Sequence, residues 1–513
     1  MLFSSQEFLY LFLPATVFAF WLSGKIINGK YSLMVLSASS LFFYSWWNYK
    51  FTLLLFCSIF LNYMIGLILS RPKKNKMILI CGLVVNIAVL CYFKYADFFI
   101  ENINNAAGTD FHFNKIILPL GISFFTFTQI AFLVDTYRDQ TKENNILHYV
   151  LFVAFFPQIS AGPIVYHREM AGQYRNPENF KFSFDNLTLG SVIFILGLFK
   201  KTVIADNLSL YVAPIFDHAQ TDIDNLPKEN VIDIVNTWKA ALAYTFQLYF
   251  DFSGYSDMAV GSAQIFGIKL PLNFNSPYKA KNIVEFWKRW HMTLSKFFRD
   301  YVFLPLSYSL SRKIPVDSVF GSDVFIYSTG ILITWSLTGL WHGAGWTFIA
   351  WGIIHALYLI LNRIIKKPKK KFFKKLSLSE KNIFTSAFYY LITFLSVTAT
   401  WVYFRAPDFG AANQILGGMT GNYGFIDKST NFDGGFLILL AMFIAFVMPN
   451  TQEFLSDFKM GLNTYNQPLK KSQISLLNFK YSTKFSFILA VLLAFSLIFV
   501  QSVQKMEFIY NDF

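Results

Sequence analysis

The chain has 513 residues, of which 54% are apolar, 19% aromatic and only 14% charged, a composition too apolar for a soluble protein of this size. A formal charge of +14 would suit nucleic acid if it formed one patch, but the Lys and Arg residues lie mainly in short links between apolar runs, so they read as topology signals and no nucleic-acid partner is expected. The three cysteines, Cys57, Cys81 and Cys91, lie in or beside apolar segments without paired spacing, which argues against a disulfide framework, a zinc site and redox chemistry.

Apolar runs close to the roughly 20 residues that a spanning helix needs recur along the whole sequence. In order they fall near 7–23, 33–47, 51–70, 77–94, 116–134, 147–160, 187–204 and 239–266, then near 325–341, 346–365, 383–404, 434–449 and 484–503. The first run has no basic start and reads as a retained span rather than a cleaved signal. The expected fold is an all-α polytopic membrane protein, embedded in membrane lipid and formed as a single domain over 1–513. Within it, amino-terminal spans cover 1–110, a core covers 115–410, and further spans with a tail cover 411–513. The clearest basic links are Arg71 to Lys76, the run from Lys366 to Lys375, and the loop holding Lys459, Lys470, Lys471 and Lys480. All can be cytoplasmic at once under the positive-inside rule, with both termini then outside.

Three stretches depart from plain spans. Phe156-Pro-Gln-Ile-Ser-Ala-Gly-Pro-Ile-Val165 interrupts a span with two prolines and a glycine and reads as a break that shapes a cavity. Tyr249-Phe-Asp-Phe-Ser-Gly-Tyr-Ser-Asp-Met258 places Asp251 and Asp257 at membrane depth. Four-residue spacing sets Asp251 beside Tyr255 and Ser253 beside Asp257, on faces that should line protein or a water-filled path; hydrogen bonding one helix to another is the plainer role for each Asp. Between Leu270 and Leu306 hydropathy drops while Trp287, Trp290, Lys288, Arg289 and other aromatic and basic residues alternate, which suits a helix lying in the interface or dipping part way in. His291 directly follows Trp290 there.

The stretch from Ser336 to Ala356 is the main candidate for chemistry. It places His342 between two apolar runs, with Gly343 and Gly345 just behind it and Trp341 and Trp346 on either side. An imidazole at the point where a membrane helix is most easily broken suits a cavity or pathway; a helix end whose His touches headgroups is the plainer alternative. His355 lies thirteen residues further on, about 20 Å along a continuous helix, and is expected to pack or gate outside the reacting centre. His112, His148, His167 and His218 fall in or near predicted connections. Nothing in the spacing of His291, His342 and the Asp residues asks for a metal.

Taken together, the motifs resemble the membrane-bound O-acyltransferase superfamily, in its bacterial branch of alginate and peptidoglycan O-acetyltransferase membrane subunits, with the D-alanyl transfer proteins of teichoic acid modification as relatives. The stretches that carry the resemblance are Phe-Phe-Pro-Gln-Ile-Ser-Ala-Gly-Pro-Ile-Val, Tyr-Phe-Asp-Phe-Ser-Gly-Tyr-Ser-Asp-Met-Ala, Asn-Phe-Asn-Ser-Pro-Tyr, Glu-Phe-Trp-Lys-Arg-Trp-His-Met-Thr-Leu-Ser, Arg-Asp-Tyr-Val-Phe-Leu-Pro-Leu and Gly-Leu-Trp-His-Gly-Ala, in that order. The resemblance implies a ring of about 11 to 13 transmembrane helices, with re-entrant or interfacial helices around a central tunnel. It implies that His342 is the catalytic residue deep in that tunnel and that His291 lies near the same path on the cytoplasmic side. Imidazole fits the task, because acyl transfer from a thioester to a hydroxyl needs a base near neutral pH. Backbone N–H groups freed at Gly343 and Gly345, or Trp N–H groups, would then stabilise the oxyanion. Trp287, Arg289, Trp290, Trp341, Gly343, Asp251 and Asp257 are the expected donor-binding and tunnel residues, with the basic residues from Lys279 to Arg299 drawing in an anionic donor.

The tail Phe508-Ile-Tyr-Asn-Asp-Phe513 resembles the aromatic carboxyl-terminal motif of the same branch, which implies that Tyr510 accepts the acyl group and hands it on. A phenol is a workable acceptor only beside a base, and an aromatic interfacial anchor is the alternative. The expected activity is transfer of acetyl from a cytoplasmic thioester, with acetyl-CoA as donor and no tightly bound cofactor, across a bacterial inner membrane for O-acetylation of an envelope or exported polysaccharide. An exported esterase-like partner would complete the transfer. Two alternatives stand beside it: D-alanyl transfer from an acidic carrier protein, and a transporter, against which no inverted repeat is visible.

Overall fold

The computed structural model describes residues 1–26, 29–111, 116–217, 219, 232–314, 322–375, 382–426, 433–458, 460–462 and 479–502. Among them the chain is helical, with one isolated bridge between Pro271 and Leu462 in place of any sheet. The main helices are α1 (Leu13–Ile26), α2 (Gly29–Trp47), α3 (Tyr49–Leu69), α4 (Lys76–Ala107), α5 (Ile122–Tyr137), α6 (Phe184–Phe199), α7 (Ile234–Ile265), α8 (Ser322–His342), α9 (Trp346–Lys375), α10 (Ile383–Arg405), α11 (Gly435–Phe446) and α12 (Thr483–Ser502).

Eight stretches among the described residues are long and apolar enough to cross a membrane, which makes the chain a multi-pass membrane protein. The other expected spans differ for a physical reason. The run near 116–134 is the 16-residue α5, and the one near 434–449 is the 12-residue α11. The run near 147–160 breaks into Ile146–Ala154 and Phe156–Ile159, where Phe155 leaves the helical conformation ahead of Pro157. α2 and α7 have the length without the apolarity. α7 can be polar because most of its length is sheltered from lipid: every residue from Ala243 to Gln264 is buried. It packs closely on α6, where a Cβ on Gly190 or Gly261 would come 2.6 Å from the other helix's backbone, the small-residue contact by which membrane helices gain dispersion energy. The peripheral helices instead expose Leu53, Phe60, Val84, Leu361 and Phe487, as lipid contact requires.

Basic residues from distant links share one end of the bundle. Lys74 donates to the Tyr137 carbonyl at 2.8 Å and pairs with Asp139, Arg168 pairs with Asp135 at 3.1 Å, and Lys296 pairs with Glu169. At the turn after α5, burial pushes the Glu143 carboxyl up, but bonds from His167 and the Asn145 backbone, with the charges of His167 and Arg175, outweigh it and hold the group at about 2. His167 and His148 both face this carboxylate, at 3.2 and 3.6 Å, so their role is to build the turn. His112 and His218 lie outside the described residues.

Candidate active site

α8 and α9 form a tight antiparallel hairpin, and its tip carries the histidine. The reversal occurs at Gly343-Ala-Gly345, and two further glycines let the helices touch. A Cβ on Gly339 would stand 2.2 Å from the Phe348 carbonyl oxygen, and one on Gly352 would stand 2.2 Å from that of Trp335. His342 is the last residue of α8 and is 2% exposed. Its ring meets Trp341 at 4.9 Å, Trp351 at 5.1 Å and Phe404 at 5.1 Å between centroids. The imidazole is thus walled by protein and turned from lipid, enclosed rather than set in an open tunnel.

The segment between α7 and α8 brings a second imidazole to the same place. His291 is fully buried, and its ring centroid lies 6.4 Å from that of His342. It has φ +41°, one of three non-glycine residues with positive φ among the described residues, a conformation that costs about 1–2 kcal/mol. The surroundings hold it there: Met292 N–H donates to the Asn273 carbonyl at 2.9 Å, and Asn275 N–H to the Arg289 carbonyl at 2.9 Å. The Asn273 side chain sets the tautomer. Its Oδ1 accepts from Thr293 Oγ1 at 2.6 Å and from the Thr293 backbone N–H, so it is the carbonyl oxygen, and His291 Nδ1, 3.3 Å away, must carry the proton it receives. His291 Nε2 is then the basic nitrogen. Thr293 Oγ1 in turn accepts from Ile164 N–H at 3.0 Å, so the broken Phe156–Val165 stretch acts by holding this network in register. Replacing Asn273 with Leu should lower turnover at this site by about 10- to 100-fold, as loss of the partner that orients a metal-ligating histidine does, while Asn273→Asp retains most of it; single-turnover kinetics of the two variants checks this.

Several expected site residues are placed elsewhere. The backbone N–H groups of Gly343 and Gly345 are spent on the carbonyls of Gly339 at 3.3 Å and Gly343 at 3.0 Å, because the turn uses its own donors to close; they are not oxyanion donors. The buried indole N–H groups of Trp341 and Trp351 have no acceptor among the described residues, and both rings flank His342. Trp287 spends its N–H on His355 Nδ1 at 3.3 Å, and Trp290 packs among Phe286, Phe274 and Trp401. Arg289 is paired with Glu285 at 2.7 Å, Lys296 with Glu169 and Arg299 with Asp300, while Lys279 donates to the Met448 carbonyl and Lys281 to Ser386 Oγ, so three of the six basic residues from Lys279 to Arg299 are matched by carboxylates. Asp251 pairs with Lys201 at 2.7 Å and Asp257 with Lys200 at 2.6 Å and Thr451. These buried pairs tie α7 to the π-helical turn Lys200–Ala205 that follows α6, because a carboxylate at membrane depth needs a cation. Tyr510 lies outside the described residues.

His355 is closer than a continuous helix would allow. Since the chain folds back at Gly343–Gly345, only the Trp351 ring separates the two imidazoles, at 5.1 Å from one and 4.9 Å from the other. The Trp287 indole can only donate, so His355 Nδ1 accepts and Nε2–H donates to Thr400 Oγ1 at 3.0 Å. Both nitrogens are occupied, which fits packing rather than proton transfer. Sequence reading passed over Lys94, whose Nζ lies 2.5 Å from the Trp341 carbonyl oxygen, although a lone lysine deep in an apolar span was a visible signal.

Comparison with known proteins places this site in context. The profile of the MBOAT, membrane-bound O-acyltransferase, family matches residues 41–404. A peptidoglycan O-acetyltransferase of Helicobacter pylori is 39% identical over 450 residues, 82% of this chain and 80% of the relative. A probable alginate O-acetylase of Pseudomonas aeruginosa is 34% identical over 486 residues, 92% and 83% of the two chains. A teichoic acid D-alanyltransferase of Bacillus subtilis is 32% identical over 260 residues, 50% of this chain and 62% of its own length.

Proposed function

The chain belongs to the membrane-bound O-acyltransferase family, and on that premise we propose that it takes acetyl from a cytoplasmic thioester, most simply acetyl-CoA, and passes it across a bacterial inner membrane for O-acetylation of an envelope polysaccharide. The polymer is peptidoglycan or an alginate-like exopolysaccharide, in keeping with the names of the relatives. The observation that carries this reading is the pair of buried imidazoles 6.4 Å apart at the tip of a helix hairpin. As an acceptor hydroxyl attacks the thioester carbonyl, the imidazole of His342 takes its proton; collapse of the tetrahedral adduct expels the thiolate, which the imidazolium can protonate. The Trp341 and Trp351 indoles are the donors available for the oxyanion.

The basic end is the cytoplasmic one in this proposal, following the positive-inside rule, with both termini outside. The arrangement suits a donor on a long flexible arm. Ser123, next to Lys94 and the end of α8, and Asp135, next to Arg168 at the basic end, are twelve residues apart on α5, about 18 Å, a depth an extended pantetheine arm spans. Tyr510 serves as acyl relay on the outer side, and an exported esterase-like acetyltransferase receives the group. Kinship to a teichoic acid D-alanyltransferase favours a second reading, D-alanyl transfer from a carrier protein. Sealed vesicles supplied with radiolabelled acetyl-CoA or with D-alanylated carrier separate the two, with mass spectrometry of the carboxyl-terminal peptide for acetyl on Tyr510. Label delivered only from the carrier would replace acetyl-CoA as donor, and counterflow without covalent transfer would make the protein a transporter.

A further inference from the structure

We propose that Lys94 and Tyr95 are positioning residues for His342: adjacent on α4, they cap the carboxyl end of the histidine helix and so fix where its imidazole stands. The inference rests on the acyl-transfer reading above for its kinetic consequence, but the geometry is independent of it.

A helix leaves its last four carbonyls without intrahelical partners, and in a membrane protein water is not at hand to take them. For α8 all four are accounted for. The Gly339 carbonyl accepts from Gly343 N–H at 3.3 Å. That of Leu340 accepts from Tyr95 Oη–H at 3.0 Å, and those of Trp341 and His342 both accept from Lys94 Nζ, at 2.5 and 3.4 Å. One turn of a different helix thus supplies three of the four bonds. Lysine suits the task, since the carboxyl end of a helix carries partial negative charge and an ammonium has three donors to divide among carbonyls. The same group lies 5.7 Å from the centre of the Trp341 ring and 3.5 Å from Ser123 Oγ, so it is held on several sides.

The grip continues past the break. Lys94, Phe98 and Asn102 follow one another at four-residue steps, on one face of α4. Phe98 packs on Trp346 at 5.7 Å, and Asn102 Oδ1 accepts from Trp346 Nε1–H at 2.8 Å. α4 therefore holds the last turn of α8 and the first residue of α9 together, with the Gly343–Gly345 turn between them. A lysine eighteen residues inside an apolar helix is costly unless engaged, and here the engagement is with the backbone of the histidine itself.

The test uses the full chain in lipid nanodiscs, with Lys94→Met, Lys94→Arg and Tyr95→Phe compared by turnover of radiolabelled acetyl-CoA and by amide hydrogen exchange over residues 343–346. In Lys94→Met, kcat should fall by about 10- to 100-fold, the scale of a displaced reacting group, with the KM for acetyl-CoA within about twofold. Exchange at the turn should rise about tenfold in the same variant as the cap opens. Lys94→Arg, which keeps the donors, should recover most of the rate and protection; Tyr95→Phe, which loses one bond, should cost about three- to tenfold. Wild-type rates and protection in Lys94→Met, or equal losses in Lys94→Met and Lys94→Arg, would overturn the proposal. Should Lys94→Met not assemble, Lys94→Arg and Tyr95→Phe decide it on the same readouts. If the wild-type chain turns over no acetyl-CoA, the acyl-transfer reading is what fails, and the exchange measurement still decides the cap.

Discussion

Replacing His342 with alanine is expected to lower acetyl transfer by about 10²- to 10⁴-fold, the contribution of a positioned general base. The ring is enclosed by Trp341, Trp351 and Phe404, so the substitution also opens a cavity. His342→Gln fills most of that space without supplying a base, and it should be as inactive as the alanine variant while melting close to the wild type. Radiolabelled transfer by purified protein, read beside a thermal melt, separates the two effects. His355→Gln is the counterpart: its two nitrogens are engaged by Trp287 and Thr400, so its loss should act on stability more than on rate. A His342→Gln protein that transfers acetyl at near wild-type rate would end the assignment of that residue as the base.

The second large effect concerns the hairpin that carries the histidine. Gly352→Val should abolish activity and most of the folded protein, because the added carbons would fall on the Trp335 carbonyl oxygen, 2.2 Å from an ideal Cβ. Backbone cannot swing aside as a side chain can, so α8 and α9 must part, and His342 moves with α8. Even Gly352→Ala should cost at least about 1–3 kcal/mol, the usual penalty of overpacking. Gly172 is the control, as a Cβ there meets nothing within 4 Å. Gly172→Ala should gain about 0.5–1 kcal/mol from its lower backbone entropy in the unfolded chain. Melting temperatures in a fixed detergent, together with the yield of monodisperse protein, measure both. Equal behaviour of the two alanine variants would mean that helix contact at Gly352 does not hold the site together.

Both expectations turn on features of unequal legibility. His342 could be picked out because two glycines and two tryptophans flank an imidazole inside apolar runs, and His291 because it lies within a basic aromatic stretch of lowered hydropathy. The break at Phe156–Val165 was equally visible in its prolines, yet its purpose was not: it holds Thr293, which holds Asn273, which sets the tautomer of His291. His355 was misjudged in distance because a glycine pair marks where a helix can stop but not that the chain then doubles back. Asp251 and Asp257 showed their depth but not their partners, since Lys200 and Lys201 lie about fifty residues away in sequence and no periodicity links them.

By itself, then, the sequence determined what depends on composition and local pattern: a multi-pass helical membrane protein, the position of most spans, and two irregular stretches whose histidines meet in the core. Apolar length sets a membrane helix whatever its neighbours, and a short motif announces its own irregularity. Tertiary structure decided which donors remain at the site, that α7 is sheltered from lipid, and that Lys94 and Tyr95 close the end of α8. The last of these depends on groups some 250 residues apart meeting at hydrogen-bond distance, and such meetings follow from how helices pack, which no local stretch of the chain encodes.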